Sequence, residues 1–286
     1  MTGELDLQTL SLATGTMVVV LTLAMAWVGF TRRIYPGFLL WMLGSAAGAA
    51  CLLIGWKMRA TPSVLSLIAA NTAASVGQAL INLGLEDFLG RRRTPWLQAL
   101  PVALTIAAAA ILTSGVPAEA ARVAIGEGAY ALQTGWCLWL LASGVPPLLG
   151  GRNRLLELTV AVQGAWSLLR MLHFATGKVL LQALFAPSTL ESITFLIYPA
   201  VLALQVFGLT ALNLQRLESD LRGALEEVRT LRGIIPICSY CKKIRDDAGS
   251  WQQVEAYVSD HTEAAFSHGI CPRCLQEHFP DEEPPG

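Results

Sequence analysis

Four of the six cysteines fall into two close pairs, Cys238-Ser-Tyr-Cys241 and Cys271-Pro-Arg-Cys274, with twenty-nine residues between them. Two such pairs at about this spacing are a zinc signature. A Cys-x-x-Cys turn can aim two thiolates at one tetrahedral ion, and a second pair completes the shell. Four protein ligands leave no open position for water or substrate, so the spacing predicts a structural zinc ion. An iron–sulfur centre or a thiol redox sensor would use the same four sulfurs. His268 stands three residues before Cys271, where it could replace a cysteine or support a thiolate from behind. His278 lies four residues after Cys274, and His261 reads as the polar end of a helix.

These sulfurs need a frame. Residues 237–244 read as a knuckle leading into a hairpin, with its turn at 246–249 and Gly249 supplying a positive φ. Ser250 is expected to cap a helix over about 251–261 whose inner face is Trp251, Val254, Tyr257 and Val258. Pro272 suits the first turn of a last helix reaching about Phe279. Knuckle, hairpin and helix in that order predict a small treble-clef-like module. Few large apolar residues follow Gly233, so a domain of this size needs a staple. Tyr240, Lys242, Lys243 and Arg245 are the candidate partner-binding surface beside the metal.

The rest of the chain is of another kind. Of the 21 acidic residues, residues 1–211 hold 8 and residues 212–286 hold 13. Overall 53% of residues are hydrophobic and 14% are charged, against about 25% charged in ordinary soluble domains. A membrane-spanning helix needs about 20 apolar residues. Seven segments qualify: roughly 11–31, 37–56, 63–85, 96–115, 121–144, 155–176 and 189–213. Pro101 and the Gly126–Gly128 pair weaken the fourth and fifth, and the stretch from Pro146 to Arg154 reads as a break. The first segment follows Glu4 and Asp6, unlike a signal peptide. Arg32, Arg33, Arg91, Arg92, Arg93, Arg152 and Arg154 mark one set of loops, and Lys57, Arg59, Arg122 and Lys178 the other. By the positive-inside rule the N-terminus is outside and the C-terminus cytoplasmic. Reducing cytoplasm disfavours disulfides among the paired cysteines.

Ionisable groups within apolar spans mark functional sites. Glu127, Arg170, His173 and Glu191 fall toward the outer half, and Arg170 and His173 share a helix face. With Asn71 they form the candidate ligand-binding set; Gln78 and Gln133 are further buried polar positions, and Glu157 lies on the sixth span. Helix–helix hydrogen bonding is the competing reading. Small residues such as those from Gly44 to Gly48 predict close helix packing.

Between the two parts, Leu214, Leu221, Val228 and Ile235 recur every seven residues, and Leu217, Ala224 and Leu231 fill the interleaved positions. That a/d pattern predicts a parallel coiled-coil homodimer over 212–235. An amphipathic helix packed on the same chain's tail is the alternative. Pro236 ends the helix.

Two resemblances follow from these residues. "LDLQTL", "GFLLWMLGSAAGAACLLIGW" and "IAANTAASVGQALINLGLEDFLGRR" resemble the multi-span N-terminal sensory domain that precedes diguanylate cyclases and histidine kinases in bacteria. "GIIPICSYCKKIRDDAGSWQQVEAYVSDHTEAAFSHGICPRC" resembles an uncharacterised cysteine-rich module at the C-terminus of bacterial signalling proteins. Together they imply a signalling protein of the bacterial inner membrane whose partners are lipid and a cytoplasmic signalling protein. No phosphate-binding Gly loop, nucleophile elbow, kinase signature or cyclase motif is present, so no enzyme is expected. A net charge of −1 gives no basic footprint for nucleic acid.

The expected fold is an all-α membrane protein. A seven-span sensor domain occupies 1–211 and a coiled-coil signalling helix 212–235. A cytoplasmic four-cysteine zinc module with a disordered end occupies 236–286. A cytoplasmic thiol or metal sensor anchored by the spans, and a small transporter with a regulatory tail, are the alternatives.

Overall fold

The computed structural model describes residues 7–60, 63–111, 116–176, 187–232, 235–246, 249–262 and 264–279. The chain divides into two compact units, Met1–Asp220 and Leu221–Gly286. The disordered end expected after the last helix lies outside the described residues.

The first unit is helical. Its described helices are α1 (Leu7–Thr31), α2 (Phe38–Ala60), α3 (Val64–Phe88), α4 (Pro95–Ile111), α5 (Val116–Leu149) and α6 (Arg154–Ala175). The seventh, α7 (Pro187–Arg232), continues into the second unit. Five of these, α1, α2, α3, α6 and α7, are long and apolar enough to cross a membrane; α4 is apolar but has 17 residues. The long helix α5 is not among the five, and Glu119, Arg122, Glu127 and Gln133 lie along it.

The packing is that of a bundle whose solvent is lipid. Large apolar side chains face outward: Phe30 is 86% exposed, Leu65 77% and Trp27 70%. Amides and a carboxylate are inside, with Gln78, Asn82, Glu86, Gln98, Gln133, Gln163 and Gln205 all buried. Such groups hold helices together where apolar surface gains nothing by association. The Asn82 amide donates to Gln98 Oε1 at 2.9 Å and to the Gln133 carbonyl at 3.0 Å, joining α3, α4 and α5. Glu86 accepts from the Thr94 N–H and hydroxyl and from Trp136 Nε1, fixing the turn into α4. Near that end Tyr35, Phe38, Trp41 and Phe88 form an aromatic cluster.

Two expectations about proline change. α4 runs through Pro101, and α5 runs through Pro146 and Pro147 to Leu149, past the expected break. In a bilayer an unravelled turn would expose more unpaired backbone than a proline removes, so helices there tolerate it.

The small residues act as expected. A Cβ on Gly77 would lie 2.8 Å from the Gly44 carbonyl oxygen, and one on Gly44 2.6 Å from that of Gly77. Backbone meets backbone there and cannot give way. Gly77→Val should therefore cost about 1–3 kcal/mol by overpacking. Gly55→Ala, on the same α2 but facing open space, should be close to neutral. Unfolding of both in mixed micelles checks this.

The second unit follows the expected order with altered boundaries. The Cys238 N–H donates to the Lys243 carbonyl at 2.8 Å and the Lys242 N–H to the Cys238 carbonyl at 3.1 Å, closing the knuckle. Lys242 sits at φ 58 to make it. Strand β1 (Ile244–Arg245) pairs antiparallel with β2 (Trp251–Gln252). Gly249, at φ 85, and the Asp246 carboxylate accepting from the Ser250 N–H close the hairpin. The helices α8 (Val254–His261) and α9 (Pro272–His278) follow. Ser250 therefore does not cap α8; Gln253 occupies the cap position. Trp251 is in a strand and exposed, because hairpin pairing claims it before the helix begins. Among the described residues of this unit only Ile244 and Leu275 are buried.

Candidate functional site

Two places carry chemistry. The first is a cavity of about 230 Å³ in the helical unit, lined from α2, α3, α5, α6 and α7 among others. Glu127 and Asn71 line it, as do Tyr130, Gln163, Tyr198 and Gln205. Helical spacing aligns them. Glu127 and Tyr130 are three apart on α5. Gln163, Ser167 and Arg170 fall at i, i+4 and i+7 on α6, and Tyr198 and Gln205 are seven apart on α7.

Arg170 and Glu127 form a part-buried ion pair, Nε to Oε1 at 2.6 Å, with side chains 13% and 12% exposed. The Tyr198 hydroxyl donates to Glu127 Oε2 at 2.6 Å, and Arg170 Nη1 donates to Thr194 Oγ1 at 2.8 Å. Ser167 lies 3.1 Å from the Tyr198 hydroxyl. Three helices are thus joined by one network, and the carboxylate's charge is answered where it stands. Gln163 Nε2 donates to the Tyr130 hydroxyl. The Asn71 amide donates to the Leu67 carbonyl at 2.8 Å.

Of the five expected ligand-binding residues, Glu127 and Asn71 line the cavity and Arg170 reaches it through Glu127. His173 is buried one turn beyond Arg170, edge-on to Phe174, and does not line it. Glu191 belongs to α7, but its side chain lies outside the described residues. Sequence reasoning passed over Tyr130, Gln163, Tyr198 and Gln205. Helical spacing from Glu127 and Arg170 signals Tyr130 and Gln163, and Tyr198 and Gln205 follow Glu191 at seven-residue steps along α7.

Where α7 leaves the helices, it grips the turn between α1 and α2. Asn213 Oδ1 accepts from the Tyr35 N–H at 3.1 Å, and its amide donates to the Arg33 carbonyl at 3.4 Å. The Tyr35 hydroxyl donates to Asp220 at 2.5 Å. The Arg216 guanidinium lies 4.4 Å from the Tyr35 ring centroid and 5.0 Å from that of Phe88, and donates to the Phe88 carbonyl. Burial, and then the bond to Asp220, push the Tyr35 hydroxyl above its ordinary pKa. Leu217, an expected coiled-coil position, packs against the bundle core instead, while Leu214 and Leu221 are exposed.

The second place is the cysteine module. All four cysteines are free thiols. Cys238 neighbours Cys241, and Cys271 neighbours Cys274. The backbone N–H groups of Cys241 and Tyr240, and then the Cys241 thiol, pull the Cys238 thiol below its ordinary pKa. The backbone and thiol of Cys274 do the same to Cys271, and Cys274 is pushed up in return. Each pair has the donor chemistry of half a zinc site. The pairs stand as pairs: among the described residues no three His, Cys, Asp or Glu side chains are grouped as a metal centre would need. His268 is exposed, as are Tyr240 and Lys242. Lys242 Nζ turns back to the Ser239 carbonyl at 3.0 Å.

Compared with known proteins, the chain matches no protein-family model, no curated protein and no solved structure.

Proposed function

We propose that this chain is a bacterial inner-membrane sensor without catalytic output, which passes a stimulus from its helical unit to a cytoplasmic, zinc-stabilised interaction module. One observation carries the reading. A single helix, α7, bears the cavity residues Tyr198 and Gln205, then the grip residues Asn213, Arg216 and Asp220, and runs on toward the cysteines. A shift at the cavity has a covalent route to the tail. Helix repacking between two arrangements suffices for such signalling.

In this reading the seven long helices all span, the arginine-bearing turns are cytoplasmic, and exposed Leu214 and Leu221 belong to a homodimer seam continuing toward residue 235. Bound zinc would join Cys238, Cys241, Cys271 and Cys274 in one tetrahedral thiolate shell and complete a treble-clef-like fold. Tyr240, Lys242, Lys243 and Arg245 form the partner surface. Charge reversal at Lys242 and Lys243 is expected to abolish capture of the cytoplasmic signalling partner with zinc content intact; unchanged capture removes that surface.

The grip gives a second test. Asn213→Leu strands the Tyr35 N–H and the Arg33 carbonyl, at a cost of about 1–3 kcal/mol, and, joined to Arg216→Ala and Asp220→Ala, releases α7 from the turn. The distance between labels at position 225 of two copies should broaden in the full chain in nanodiscs. An unchanged distribution would mean that the grip does not hold the tail. A cytoplasmic thiol sensor is the second reading, favoured by the exposure of Cys241, Cys271 and Cys274. Rapid alkylation of the zinc-loaded protein would support it.

A further inference from the structure

The cavity contains a group that helix packing does not account for. Gln205 is 1% exposed and lines the cavity, and neither its amide nitrogen nor its oxygen has a hydrogen-bond partner. Gln163 Oε1, lining the same space, has none either. Buried polar groups are paired as a rule, and exceptions call for a reason. Most other polar side chains around the space already have partners. Ser75 bonds Gln133, Gln78 bonds Asn82, Asn71 bonds Leu67 and Thr105 bonds Pro101. Glu127 is held by Arg170 and Tyr198. What remains unpaired is one donor nitrogen and two acceptor oxygens, buried on the Gln205 and Gln163 side chains, which line the space together with Gly44, Gly48, Leu52 and Leu202.

We propose that this cavity binds a small uncharged molecule of the bilayer phase whose polar end is a carboxamide-type edge, an N–H beside a C=O. Its role as the stimulus rests on the sensor reading above; the binding itself does not. A carboxamide complements Gln205, since the glutamine nitrogen can donate to the ligand carbonyl while its oxygen accepts the ligand N–H. Gln163 Oε1 accepts a second N–H. A charged ligand would find no counter-ion, because Glu127 and Arg170 already answer each other. A hydrocarbon would leave the glutamine amide unpaired. At about 230 Å³ the space lies below the range for drug-sized ligands, about 300–1,000 Å³, so the body is a single ring or a short chain. Ordered water is the rival occupant.

The test uses the full chain in nanodiscs and three probes: benzamide, N,N-dimethylbenzamide and toluene. Saturation-transfer NMR should show saturable benzamide binding at least about tenfold tighter than either of the others, and at least about tenfold weaker in Gln205→Leu. The same substitution should raise the unfolding midpoint of the empty protein, because it removes an unpaired amide. Gln163→Leu supplies the comparison if Gln205→Leu does not fold. Toluene binding as well as benzamide, undiminished benzamide binding by the folded variant, or no binding of any probe would overturn the proposal. The last result would assign the cavity to water. Benzamide binding with no change in the label distance at position 225 would leave the site standing and sink the sensor reading.

Discussion

Replacing Cys271 by serine in the full chain is expected to empty the tail of metal and to open it to proteases between residues 236 and 279. The wild type should carry about one zinc ion per chain. The reason lies in the size of the core. Only Ile244 and Leu275 are buried among the described residues of the second unit, so apolar burial cannot hold its strands and helices in place. A structural zinc site provides about 10–16 kcal/mol of apparent binding energy in small fingers, far beyond what two buried side chains give. Elemental analysis of the purified protein and limited proteolysis before and after a strong chelator read both effects. Full metal content in Cys271→Ser, or none in the wild type, would defeat the zinc reading.

Much of the tail was legible because its signals are local. A knuckle, a turn glycine and a proline opening the last helix are each written within a few residues. Trp251 was misplaced because the competing claim on it comes from Arg245 across the hairpin, which no helical pattern reveals. In the helical unit the apolar runs placed each long helix to within a few residues, except where Pro146 and Pro147 looked like a stop. The heptad pattern was right about helix and incomplete about partners, since Leu217 belongs to the bundle. Of the cavity, Glu127, Asn71 and Gln78 stood out, and Gln163 and Gln205 did not. A glutamine in an apolar run resembles any other until its neighbours on the facing helices are known.

The second large effect concerns Glu127 and Arg170. Arg170→Met should destabilise the helical unit by up to about 3–5 kcal/mol, because it leaves a mostly buried carboxylate with Tyr198 as its remaining partner. Glu127→Gln alone strands the guanidinium in the same way. The double variant should recover to within about 1 kcal/mol of the wild type, as buried pairs replaced together by neutral groups commonly do. The difference between the singles and the double is the coupling of the two sites. Detergent-titration unfolding in bicelles measures all four proteins. Single variants that lose less than about 1 kcal/mol would mean that the pair is wet and its burial is not felt.

The inverted distribution of polarity, amides within and Phe30, Leu65 and Trp27 without, has a thermodynamic consequence. When helices part in a bilayer, the surfaces uncovered meet hydrocarbon instead of water. The large heat-capacity increment that bends the stability curves of water-soluble domains comes from hydrating apolar surface. Here that increment is nearly absent from helix separation, so the bundle should keep a nearly straight free-energy line with temperature. The tail, whose unfolding does expose side chains to water, would be the part that feels the cold.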